Sequence, residues 1–144
     1  SELAYANSRS RLRMVTLYQI AQSLNALVVG TGNKVEDFGI GFYTKYGDGG
    51  VDISPIADCT KSEVWEMGEI LGISKKIIEA DPTDGLWDDS INDEEQIGLT
   101  YKQIEDAMNN SKSKFFRKYN EIRKPNLHKM NPIPICKLNK ENEK

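Results

Sequence analysis

The sequence predicts an α/β fold, and three features predict it. Ala26 to Gly30 is a short, wholly apolar run, as in a strand buried on both faces of a parallel sheet. Stretches with helical spacing stand on either side of it, Leu3 to Leu24 and Thr60 to Leu71. Between the strand and the second helix, glycines at 30, 32, 39, 41, 47, 49 and 50 crowd one loop, where the backbone can pass close to a ligand.

The first helix rests on Leu12, Val15, Leu17, Ile20 and Leu24, with Asn25 placed to end it. After the glycine-rich loop, Val51 to Ile56 is extended, and Pro55 stops regular pairing. Thr60 then caps a helix, with Glu63 three positions on as in a capping box. Val64, Trp65, Met67, Ile70 and Leu71 form its apolar side, and Gly72 ends it. Ser74 to Glu79 reads as a short helical turn, and Ala80 to Ile97 as an acidic loop with aromatics. A helix is expected from Thr100 to Asn109, and helical chain rich in basic residues from Ser111 to Arg123. From Lys124 onward, Pro125, Pro132 and Pro134 predict an irregular tail. The division expected is a body over 1–124 and a tail over 125–144, held by partners or mobile.

The chain has 144 residues, enough for one modest core. A net charge of −3 gives no sign of a nucleic-acid or membrane surface, and no apolar run approaches the ~20 residues that span a bilayer. The two cysteines, Cys59 and Cys136, lie far apart and outside any metal array, which points to a reducing, cytoplasmic setting. Ser1 is no methionine, and Ser-Glu-Leu-Ala-Tyr reads as the middle of a helix, so a fragment of a longer chain is expected.

Chemistry is expected where the strand ends, because open α/β sheets bind ligands there. Thr31 offers a hydroxyl beside glycine N–H groups, and Glu36 is a hard oxygen ligand suited to Mg²⁺ on phosphates. The bland alternative is a structural turn with a solvated glutamate. In Phe42 to Gly50, Lys45 and Asp48 could hold an anion and accept a proton, or form an exposed Asp-Gly turn. Lys61 sits in the first turn of its helix, where the dipole disfavours a cation unless an anion is near. Otherwise it faces solvent. Pro82 to Trp87 is turn chemistry with an aromatic, and His128 is the lone histidine, a residue that in a proline-rich tail is usually incidental.

Taken in order, these pieces resemble the synthetase domain of NAD synthetase, an ATP pyrophosphatase. The matching segments are Ser10-Arg-Leu-Arg-Met14, Val28-Val-Gly-Thr-Gly-Asn33, Phe42-Tyr-Thr-Lys-Tyr-Gly-Asp-Gly-Gly-Val-Asp52, Lys61-Ser-Glu-Val64, Pro82-Thr-Asp-Gly-Leu86, Asp93-Glu94 with Ile97-Gly98, and His128-Lys129. The resemblance runs from about Ala6 to Lys129 and implies a Rossmann-like parallel sheet flanked by helices. It further implies ATP-dependent amidation of deamido-NAD to NAD, the last step of NAD biosynthesis, through an acyl adenylate. The catalytic residues it implies are Asp48, Lys61 and Thr83. Arg11, Lys45, Asp52, His128 and Lys129 would contact deamido-NAD. Thr31, Lys61 and Thr83 would contact ATP, and Glu36 would bind Mg²⁺. Ammonia, free or drawn from glutamine, is the nitrogen donor, and a homodimer is the expected assembly.

The family's SGGxDS-type phosphate loop does not occur in these 144 residues. The segment is therefore expected to be the C-terminal part of the domain, without productive ATP binding on its own. Lys45 also stands one residue further from Glu36 than in some members. Two alternatives remain: a related ATP pyrophosphatase with another acid substrate, GMP-synthetase-like, and a non-catalytic fragment that keeps the family's surface.

Overall fold

The computed structural model describes residues 1–87 and 91–137; residues 88–90 of the expected acidic loop and 138–144 of the expected tail lie outside them. Six helices, α1 (Glu2–Leu24), α2 (Lys61–Ile70), α3 (Lys75–Ile78), α4 (Asp93–Ile97), α5 (Tyr101–Asn109) and α6 (Phe116–Met130), are joined by a π-helix over Val35–Ile40. Two of these seven elements, α4 and the π-helix, fall in segments expected to be loop.

Local signals set the helix ends. Asn25 closes α1 in the left-handed conformation, with φ 50°. Thr60 and Glu63 form the expected capping box at the start of α2, and Gly72 follows α2 with φ +69°. Equivalent boxes start α4, Asn92 with Glu95, and α5, Thr100 with Gln103. Replacing Thr100 by alanine removes the acceptor for the Gln103 N–H and should cost about 1 kcal/mol. Chemical denaturation would read this as a lower midpoint at unchanged slope, with Thr100→Ser restoring it.

The expected parallel sheet is represented by one parallel bridge, Val29 to Ile53, among the described residues. Gly30 N donates to Ile53 O at 2.7 Å and Asp52 N to Val28 O at 2.9 Å. Only Val28 and Gly30 of the apolar run are buried; Leu27 and Val29 are more than half exposed. The pairing places the Gly30 exit beside the 51–56 segment, which is what the site needs from it.

The core lies between the π-helix, α4, α5 and α6. Val35, Ile40, Tyr101, Ile104 and Ala107 are fully enclosed, with Ile97, Leu99 and Tyr119 around them and Trp65 and Phe42 at the margin. The first helix contributes differently from its apolar pattern. Its buried residues are Ala6, Ser10 and Ala21, whereas Leu12, Val15, Leu17, Ile20 and Leu24 are all about half exposed or more. Its polar side faces the body instead: Arg13 donates to Asp84 O and Gly85 O, and Thr44 Oγ donates to Asn7 Oδ1 at 2.6 Å.

The expected loss of regular structure at Lys124 does not occur. Helix α6 runs through Pro125 to Met130, because its far end is pinned by side chains. Asn126 Nδ2 donates to Ile40 O, and Lys129 Nζ to Gly41 O and Tyr43 O. These bonds hold the last turns despite the amide hydrogen that proline lacks.

Candidate functional site

Two clefts open beside the glycine-rich loop, and they divide the residues singled out in the sequence. Thr31, Glu36, Asp48, Lys61 and Thr83 line a cavity of about 440 Å³. Arg11, Lys45, Asp48, His128 and Lys129 line its neighbour, of about 370 Å³. Asp48 belongs to both, as do Phe42, Asp84 and Leu86. Asp52 lines neither cleft. Its carboxylate accepts from Tyr18 Oη at 3.1 Å and from Val28 N at 2.8 Å, so it ties α1 to the strand-like segment.

Asp48 is placed by the loop that carries it. Its Oδ1 accepts from Ser10 Oγ at 2.7 Å and from Thr44 N at 2.9 Å, while its own N–H donates to Ser10 Oγ. Gly47 makes this possible, since a Cβ there would collide with Ser10 Oγ and press on Thr44. Tyr46 takes the left-handed conformation next to it, φ 63°, a sparsely populated state for a tyrosine.

Lys61 enters the first cavity from the start of α2. Its Nζ lies 3.1 Å from Glu36 Oε1, and solvent reaches only 17% and 15% of the two side chains. Glu36 comes from the π-helix, whose wider turn accompanies a functional position in many proteins. Its neighbour Asp37 is pushed up to about 6 by burial first, then by the charges of Glu36 and Asp48. Gly32 lies against that carboxyl, and a Cβ at 32 would collide with it.

In the second cleft, Lys45 Nζ donates to His128 O at 2.8 Å, and Arg11 Nε to Lys45 O at 3.2 Å. Lys129 lies over the Tyr43 ring, 5.4 Å from its centre, and burial holds its ammonium below the usual lysine range. The imidazole of His128 meets Pro125 O through Nδ1 at 2.9 Å. So helix α6, not an irregular tail, carries His128 and Lys129 to the cleft.

Three acids and a tyrosine were given no role in the sequence reading. Asp37, Asp84 and Asp93 line the first cavity, and Tyr101 lies beneath it. Tyr101 Oη is 2.7 Å from Glu36 Oε1 and 3.2 Å from Asp93 Oδ2. Burial pushes the Asp93 carboxyl up, with the Tyr101 hydrogen bond working against it and the Glu36 charge with it. Asp84 and Asp93 lay within segments that match the family, Pro82 to Leu86 and Asp93-Glu94, whereas nothing in the local sequence marked Asp37 or Tyr101.

The cavity wall thus carries the carboxyl groups of Glu36, Asp37, Asp48, Asp84 and Asp93 against the cations of Lys61 and Arg13. Arg13 is engaged with backbone carbonyls. A polyanion entering here needs further positive charge.

A family profile described as NAD synthase matches residues 1–144. The chain is 53% identical over 104 residues to the NH(3)-dependent NAD(+) synthetase of Carboxydothermus hydrogenoformans, which covers 72% of this chain and 42% of that protein. It spans about two-fifths of the length of the curated relatives it matches. Among solved structures it is similar to the NMN synthetase from Francisella tularensis, with a TM-score of 0.86 at 33% identity over 96% of this chain and 58% of that one. The NH3-dependent NAD synthetase from Campylobacter jejuni shares the fold, with a TM-score of 0.70 at 22% identity over 95% of this chain and 56% of that one.

Proposed function

We propose, from the premise that this chain belongs to the NAD synthase family, that it supplies one face of the site at which deamido-NAD is amidated to NAD. The observation that carries this reading is the meeting of the two clefts at Asp48. One cleft gathers the residues assigned to ATP, the other Arg11, Lys45, His128 and Lys129 of those assigned to deamido-NAD. A reaction between the two substrates needs such a shared wall, because held reactants gain most from proximity.

In the first half-reaction a carboxylate oxygen of the nicotinate group attacks the α-phosphorus of ATP and pyrophosphate leaves. In the second, ammonia attacks the acyl carbon, and AMP and NAD are released. Adenylation is required because a free carboxylate is a poor acyl donor. Lys61, with Thr31 and Thr83, holds the phosphate side, its ammonium offsetting charge on the transferred phosphoryl group. Arg11, Lys45, His128 and Lys129 hold deamido-NAD. Asp48, at the junction, orients ammonia and takes its proton. For Asp52, bonded to Tyr18 and Val28 and lining neither cleft, a contact with deamido-NAD would have to come from outside them.

The acidic cavity suits a hard divalent cation. Asp93 Oδ1 is a buried oxygen with no hydrogen-bond partner among the described residues, and Glu36 Oε2 has only a 3.5 Å contact with Asn33 N. Among those residues no three His, Cys, Asp or Glu side chains converge as a metal cage. Mg²⁺ commonly takes one or two carboxylates and completes its shell with phosphates and water. Bound there by Glu36, Mg²⁺ would supply positive charge to the phosphates.

We propose likewise a Rossmann-like parallel sheet for the whole protein, a cytoplasmic setting, a tail over residues 125–144 that closes on substrate, and ammonia, free or from glutamine, as the nitrogen donor. No helix among the described residues is long and apolar enough to cross a membrane. A homodimer is supported by the apolar residues that α1 turns outward, Leu12, Val15, Leu17, Ile20 and Leu24.

The test is product formation by the full-length protein. AMP and pyrophosphate should appear only when deamido-NAD is present, and NAD only when ammonia is added. The likeness to an NMN synthetase favours one second reading, in which nicotinate mononucleotide is the acid. A higher kcat/KM for the mononucleotide than for deamido-NAD would establish it, and AMP release with neither acid would overturn both.

A further inference from the structure

Tyr101 has no part in the roles assigned above, yet it touches both charged groups of the ATP side. Its side chain is completely buried at the first position of α5. Its backbone N–H donates to Glu94 Oε1 at 2.8 Å, and its ring meets Trp65 edge-on, 5.9 Å between centres. Backbone and ring are therefore fixed by the core, and little freedom remains to the hydroxyl.

That hydroxyl reaches Glu36 Oε1 at 2.7 Å. The ring face lies 4.7 Å from Lys61 Nζ, which is itself 3.1 Å from the same Glu36 oxygen. One rigid side chain thus holds the carboxylate by a charge-assisted hydrogen bond and the ammonium by its ring quadrupole. Two cationic or protic partners fall on Oε1, which leaves Oε2 as the atom available to a ligand. A phenol has a single proton to donate, and the shorter contact gives it to Glu36. Asp93 Oδ2, at 3.2 Å, is the longer, competing acceptor for that proton.

We propose that Tyr101 is a positioning residue, which aims Glu36 Oε2 and Lys61 Nζ so that a divalent cation and a phosphate meet them in one geometry. This rests on the reading of Glu36 as the metal ligand and Lys61 as the phosphate ligand. The arrangement is that of an outer group fixing a first ligand, where loss of the outer group weakens metal binding although the ligand itself remains. A purely structural tyrosine would be indifferent to the metal.

The experiment measures Mn²⁺ binding by electron paramagnetic resonance in the full-length protein with α,β-methylene ATP. Wild type, Tyr101→Phe, Glu36→Gln and Ile104→Val are compared. Tyr101→Phe keeps the ring and should raise the Mn²⁺ Kd roughly 10- to 100-fold. The Mg²⁺ concentration for half-maximal turnover should rise in step, with the KM for ammonia unchanged. Ile104→Val perturbs the same core and should leave the Mn²⁺ Kd within twofold of wild type. As a second readout, Mg²⁺ with the analogue should raise the melting temperature of Tyr101→Phe less than that of wild type. An unchanged Kd in Tyr101→Phe would overturn the positioning role while Glu36 kept its own. Equal Kd values for wild type and Glu36→Gln, or no Mn²⁺ binding at all, would remove the metal reading and this proposal with it.

Discussion

Replacing Lys61 by alanine should lower kcat/KM for ATP by about 10²- to 10³-fold, the scale of removing one preorganised charge partner of a developing anion. The reasoning is local. Lys61 Nζ is largely shielded, held by Glu36 and by the Tyr101 ring, and it faces a wall of carboxyl groups. Without it, ATP phosphates meet Glu36, Asp37, Asp48, Asp84 and Asp93 with little on the protein side to offset the repulsion. The fold should survive, because the Thr60–Glu63 box that starts α2 does not use the lysine side chain. Steady-state kinetics with deamido-NAD saturating, alongside circular dichroism, would check both halves. Near wild-type kcat/KM for ATP would remove Lys61 from the site. Asp48 would make a less clean probe, since its carboxylate also anchors Ser10 and the Thr44 N–H.

The second large effect concerns stability. Ile104→Ala should cost about 2–5 kcal/mol, the usual range when a fully buried branched side chain leaves a cavity. Ile104 has no exposed surface and packs among Val35, Ile40, Tyr101 and Ala107, which come from the π-helix and α5. Whole-domain stabilities are commonly only 5–15 kcal/mol, so the loss would be a large fraction. Urea denaturation would measure it, and a change below 1 kcal/mol would mean that the core is centred elsewhere. Because the π-helix presents Glu36, the variant should also lose activity at temperatures where wild type is stable.

Much of this was legible in the sequence, and the reasons are local. The Thr60–Glu63 box, the helix start at Thr100, the Asn25 and Gly72 ends and the short α3 all depend on neighbours within a few residues. The Asn92–Glu95 box was as readable, yet the acidic run around it suggested a loop. The π-helix was hidden among glycines, because Val35 and Ile40 mark it only by packing against α5 and α6. Pro125 misled for the same reason: proline argues against a helix locally, and contacts from Asn126 and Lys129 to residues 40–43 outweigh it.

The site divides in the same way. The order Thr31, Glu36, Lys45, Asp48, Asp52, Lys61, Thr83, His128 and Lys129 carried the resemblance to the NAD synthetase family, and it was that resemblance which implied an ATP side and a deamido-NAD side. Folding decided what chain order does not encode. It brought the two clefts together at Asp48, turned Asp52 toward Tyr18 and Val28, and brought Tyr101 and Asp93 under Glu36. Caps and turns are settled by groups a few residues apart, whereas a carboxylate's partners are chosen by whichever donors packing brings within 3 Å or so, however distant in sequence.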